Sequence, residues 1–126
     1  MKRNDDLIRD LMLSIEDAPA GQPVSGKALA QQDFSDAEVV EHLQLLEEAG
    51  LIDLEVRRYL GDRGPQLGNL EAKRLTWAGH EFIGAIRSDT IWEQTKERTA
   101  RVGGSVSLKV LGEVAGSVAK GMLGLS

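Results

Sequence analysis

The stretch SDAEVVEHLQLLEEAGLI, Ser35 to Ile52, decides the fold. Ser35 followed three residues later by Glu38 is a capping box. The hydroxyl takes a backbone N–H of the first turn, and the carboxylate reaches back to the cap residue's own N–H. Val39, Leu43 and Leu46 then recur at helical spacing and make an apolar stripe. Gly50 stands where a helix ends in a left-handed residue, and Leu51-Ile52 opens something extended. The reading is a capped helix over 36–49 that turns directly into a strand.

Downstream, LIDLEVRRYL (51–60) reads as that strand, GDRGPQLGN (61–69) as a Gly- and Pro-rich loop, and LEAKRLTW (70–77) as the returning strand. Together they form a β-hairpin with a long tip. Thr76 caps a further helix from Trp77 to Arg87, with Ala78, Phe82, Ala85 and Ile86 on its inner face. Ser88-Asp89 opens a polar helix to Arg101 whose apolar stripe is little more than Ile91 and Trp92. Gly103-Gly104 is a hinge candidate. A last helix over 105–123 carries Leu108, Leu111, Val114, Ala115, Val118 and Met122, with Gly112, Gly116 and Gly121 among them.

Upstream, Asn4 caps a helix running to Asp17, with Asp5 and Asp6 favourably placed in its first turn. Leu7, Leu11 and Ile15 form its stripe, flanked by Ile8 and Met12. Ala18 to Pro23 breaks the chain. Residues 24–33, VSGKALAQQD, fit a short helix or a short strand, with a strand favoured.

The chain's 126 residues suit one domain with a modest extension, and 41% apolar residues supply one core. A net charge of -5 argues against a chain that coats nucleic acid. The absence of cysteine excludes disulfides and thiolate metal sites and fits a reducing, cytoplasmic location. MKRNDDLIRD, with acids following the basic pair, is not a signal peptide. No uncharged apolar run of roughly 18 residues is present, so no spanning helix is expected.

A helix, a small element, a capped helix ending in HLQLLEEAGLI and a hairpin ending in KRLTWAGHEFI together resemble a winged helix. The run His42 to Ile52 is similar to the recognition helix and following strand of ArsR- and PadR-like regulators. The whole chain resembles a family of short bacterial and prophage proteins of unknown function. Its motifs match Met1 to Arg9, His42 to Ile52, Arg74 to Phe82 and Asp89 to Trp92. The resemblance implies an α+β, mainly helical fold: a winged-helix-type domain over 1–87 and a helical extension over 88–126. It implies no activity.

A winged helix raises the expectation of DNA binding without settling it. The 36–49 helix carries Asp36, Glu38, Glu41, Glu47 and Glu48 and no Lys or Arg, so only His42 and Gln44 are left to read a base edge. The hairpin carries Arg57, Arg58, Arg63, Lys73 and Arg74 against Glu55, Asp62 and Glu71. The expected function is therefore that of a DNA-binding, transcription-regulator-like protein of bacterial or prophage origin that contacts DNA mainly through this wing. The competing reading is a solvated ribbon whose charges protect its edge, and Arg74 also reads as structural. The alternative function is a protein–protein interaction module that keeps the winged-helix shape without binding DNA. Leu108, Leu111, Gly112, Ala115, Gly116, Val118 and Ala119 of the last helix are candidates for a homo-oligomer seam. Cover by the chain itself is an equal alternative there.

No catalytic constellation, metal site, cofactor or small-molecule ligand is expected, and the chain reads as a non-enzyme. Gly21 to Lys27 has phosphate-loop spacing, but Ala28 stands where a magnesium-binding Ser or Thr belongs and no buried strand precedes it. His42 and His80 read as cap or packing residues, and Trp77 and Trp92 as core anchors rather than base-stacking groups.

Overall fold

A computed structural model describes residues 1–57, 64–102 and 106–124. The fold is α+β and mainly helical. Among the described residues it has five α-helices and a three-stranded antiparallel sheet. The helices are α1 (Asp5–Glu16), α2 (Asp36–Glu48), α3 (Trp77–Ile86), α4 (Asp89–Ala100) and α5 (Leu108–Met122), and the strands are β1 (Val24–Ser25), β2 (Ile52–Val56) and β3 (Leu70–Leu75). The chain forms two compact units, Met1–His80 and Glu81–Ser126.

In the first unit the helix ends follow local chemistry. Asn4 Oδ1 accepts from Leu7 N at 2.9 Å and starts α1. The Ser35–Glu38 capping box is present in both directions, at 3.1 and 3.0 Å. Backbone and side-chain bonds from Ser35 hold the Glu38 carboxyl below its usual range, with a smaller pull from His42. Gly50 takes the left-handed conformation, φ 75°, and releases the chain into β2. Residues 24–33 contain both candidates in miniature, since β1 is followed at once by a 3-10 turn over Gly26–Leu29.

The strands run in the order β1-β3-β2. Val24 faces Ala72 across the β1–β3 pair, and Ile52 faces Leu75 across the β2–β3 pair. Both hairpin strands are shorter than their sequence suggests. The 51–60 strand ends at Val56, with 58–60 outside the described residues, and β3 stops at Leu75 because Thr76 is already a helix cap. The register slips between Asp53 and Leu54, which leaves Lys73 without an opposite residue on β2. This bulge turns Lys73 and Arg74 outward in succession, where a regular strand would bury one of them.

The unit's core is formed by Leu7, Ile8, Leu11, Met12 and Ile15 of α1, Val39, Leu43 and Leu46 of α2, and Ile52, Ala72 and Leu75 of the sheet. Burying each Leu or Ile side chain stabilises by about 1.5–3 kcal/mol. Gly26 lets the 3-10 turn lie directly against the backbone of Leu67 and Leu70, where a Cβ would have no room.

The second unit contains the end of α3 together with α4 and α5, and the last two pack on each other. Trp92 and Thr95 are buried on α4, and the Thr95 hydroxyl donates to Ile91 O at 2.7 Å. Ser107 caps α5, which begins at Leu108 and not at 105. The buried positions of α3 are Phe82, Ile83 and Ile86, with Gly79 in its first turn. The expected inner face was therefore turned slightly: Ala78 is exposed and Ala85 only half-buried.

Candidate interaction surface

Each described cation of the hairpin meets an acid across the sheet. Arg74 Nε lies 2.9 Å from Asp53, its direct partner in the register, and its guanidinium also donates to Leu75 O at 3.1 Å. Lys73 Nζ is 3.3 Å from Glu55, and Arg57 is 3.4 Å from Glu71. Glu55 and Glu71 face each other directly, an unfavourable pairing of like charges. The flanking Lys73 and Arg57 offset it. Among the described residues, then, these three cations serve the sheet. Arg58 and Arg63 lie outside the described residues.

On α2 the outward positions Asp36, Glu41, Glu47 and Glu48 are exposed, and no cation accompanies them. Asp36 sits at the positive end of the helix and stabilises it, whereas Glu47 and Glu48 sit at the negative end. Gln44 is half-buried. His42 is 1% exposed, and both ring nitrogens are engaged. Nε2 accepts from Asn4 N at 2.8 Å, and Nδ1 donates to Glu38 O at 2.7 Å. The expectation that His42 reads a base edge is thus corrected, because the side chain is a buried tie between α1 and α2. Its reading as a packing residue matches this position.

The junction of α2, β2 and α3 is held by Thr76. Its hydroxyl donates to Gly50 O at 2.6 Å and accepts from Gly79 N at 3.1 Å, and its backbone N–H donates to Leu51 O at 3.0 Å. Gly79 has no Cβ to strike the Leu51 carbonyl, so the first turn of α3 lies flush on that carbonyl. This seat fixes the backbone beside Trp77, whose side chain is out in water with the residue 80% exposed. The reading of Trp77 as a core anchor is corrected. The signal was available in the sequence: the stripe Gly79, Phe82, Ile83 and Ile86 puts position 77 on the opposite side of the helix. Trp92 does anchor a core, with the Lys96 ammonium 5.7 Å from its ring centre. His80 is exposed and does not pack.

Along α5, Leu111, Ala115 and Val118 are buried within the chain itself. This corrects the assignment of those three to a seam with a second copy. Leu108, Gly112, Gly116 and Ala119 are half-buried. A Cβ on Gly112 would reach the Phe82 ring at 3.4 Å, so its small size serves an internal contact, whereas nothing approaches Gly116 within 4 Å. Among the described residues no group of three or more His, Asp or Glu side chains could hold a metal ion, and no helix is long and apolar enough to cross a membrane.

Residues 2–105 match the model of a family described as "Hypothetical protein (DUF2513)". Over 126 residues the chain is 35% identical to an uncharacterized protein of Haemophilus influenzae, an alignment that covers 98% of this chain and 99% of that one. No solved structure matches the chain.

Proposed function

The chain belongs to the DUF2513 family of hypothetical proteins, and from that starting point we propose a non-enzymatic, winged-helix-type protein that works by binding a protein partner and not by reading DNA. The winged-helix reading is supported by the element order α1, β1, 3-10 turn, α2, hairpin, with the sheet order β1-β3-β2. In such an arrangement α2 occupies the recognition-helix position, the hairpin is the wing, and residues 88–126 are an extension. The observation that carries the functional reading is the charge of that helix: its outward side chains are carboxylates, with no Lys or Arg to offset them. DNA presents one negative charge per roughly 1.7 Å of its axis. Like charges at contact repel by about 1 kcal/mol per pair even in water.

Trp77 supplies what a protein interface needs. Interface hot spots are enriched in Trp, and an indole on an already fixed backbone has only its own side-chain freedom to lose on binding. Trp77→Ala is expected to leave unfolding free energy within about 0.5 kcal/mol of the parent, as for an exposed site. The same change is expected to weaken partner capture by tenfold or more, about 1.4 kcal/mol. Quantitative capture from extracts of the native host, with parent and variant compared side by side, checks both halves. Equal recovery of every captured protein by the two would remove Trp77 from the proposal.

One observation favours a second reading, DNA contact through the wing. The side chains of Arg57 and Arg74 are 71% and 67% exposed, and exposed ion pairs contribute only about 0–1 kcal/mol. A phosphate could therefore replace their carboxylate partners at small cost.

A further inference from the structure

Sequence reading expects no small-molecule ligand, but the first unit contains a groove of about 340 Å³ whose walls come from four separate segments. The end of α1, the 18–22 turn, β3 and the first turn of α3 all contribute to it. Such a volume lies at the small end of ordinary ligand sites. From the composition of these walls we infer that the groove binds a small organic anion, with Lys73, Arg74 and His80 around the charged head and an apolar floor beneath its body.

The apolar part of the lining is Ile15, Ala18, Pro19, Ala20 and Leu75. Ile15 and Leu75 are also core residues, 4% and 2% exposed, so this surface is rigid. The head-group end is a product of the bulge in β3. Because Lys73 has no opposite residue on β2, Lys73 and Arg74 are both turned outward, and both line the groove. His80 joins them from α3, an exposed residue that lines the same groove.

The carboxylates that pair with these cations do not line the groove. Asp53 and Glu55 approach from β2, and Glu16 is the single acid in the lining. Within the lining two cations face one acid, but each cation also has its carboxylate partner on β2, so a bound anion must take the place of Asp53 or Glu55 at these side chains. Glu16 opposes an anion but is engaged within the chain. Exposed ion pairs of the Lys73–Glu55 type hold their partners weakly, whereas charge-assisted bonds to a ligand in a partly enclosed groove are shorter and stronger. The ligand class is therefore an anionic head, phosphate or carboxylate, on a compact apolar body. This inference is independent of the protein-partner reading, since α2 and Trp77 take no part in it.

The test is a ¹⁵N-resolved NMR titration of the full chain with phenyl phosphate, benzoate, inorganic phosphate and benzyl alcohol. The expected result is saturable movement of the amides of Ala18, Ala20 to Gln22, Lys73 to Leu75 and His80 with the first two probes. Inorganic phosphate should bind more weakly and benzyl alcohol not at all. Lys73→Gln and His80→Gln, both exposed and expected to fold, should each weaken phenyl phosphate by about tenfold. Lys27→Gln, outside the groove, should leave it unchanged. Absence of saturable binding, equal binding of inorganic and phenyl phosphate, or parent-like affinity in both groove variants would each overturn the inference.

Discussion

Replacing Gly79 by Ala is expected to destabilise the protein by about 3 kcal/mol, at the upper end of what overpacking a close contact costs. The sign is informative. In an unconstrained helix interior the same substitution stabilises by about 1 kcal/mol, because Ala is the better helix former. Here the added Cβ would collide with the backbone carbonyl of Leu51, which cannot swing aside as a side chain could. The first turn of α3 would have to lift, and the Thr76–Gly50 and Thr76–Leu51 bonds would lengthen with it. Gly21→Ala is the matched control. Its φ of 78° carries a conformational cost of about 1–2 kcal/mol, but nothing lies within 4 Å of the new Cβ. Urea unfolding of the two variants should rank Gly79→Ala as clearly the worse. A stabilised Gly79→Ala variant would contradict the seating of α3 on the α2–β2 turn.

The second large effect is expected at His42. His42→Ala should cost about 3 kcal/mol. Part comes from the cavity left by a buried ring, and part from the Asn4 N–H, which loses its acceptor. Asn4 is also the cap of α1, so the loss is felt at the start of that helix. Chemical denaturation at neutral pH measures the cost, and residue-resolved amide hydrogen exchange should show the first turn of α1 losing protection first. A loss under about 0.5 kcal/mol, the scale of an exposed site, would mean that His42 is not the tie described.

Local chemistry was the legible part of this molecule. Ser35 with Glu38, Asn4 before two acids and Gly50 after an apolar stripe each specify a helix end within a few residues, and all three ends are where the sequence puts them. Contacts distant in sequence were not legible. The two-residue strand at Val24–Ser25 exists only because Ala72 and Glu71 lie beside it. His42 sits on the buried side of α2 with Val39, Leu43 and Leu46, so its burial could have been read from spacing. Its acceptor role towards Asn4, 38 positions away, could not.

The candidate site shows the same division. The acidity of α2 is written in its residues. The pairing of Lys73 and Arg74 with acids is not, because it depends on a one-residue bulge that sets Arg74 opposite Asp53 and Lys73 within reach of Glu55. Trp77 was misread for a different reason. Tryptophan next to apolar residues is usually buried, but Thr76 fixes the helix start so that the stripe falls on the opposite side.

The measurement that bears most directly on the central claim is a fluorescence-anisotropy titration of the full chain against pooled genomic duplexes at low salt. An acidic α2 and a wing whose described cations, Arg57, Lys73 and Arg74, are each paired with an acid predict no saturable binding at micromolar protein, since nonspecific DNA affinity comes almost entirely from Lys and Arg displacing the counterions condensed on the phosphates. Binding that saturates, falls steeply with added salt and weakens when Arg57, Arg58 and Arg63 are changed to Ala would contradict the account and establish the wing as a DNA-contacting element.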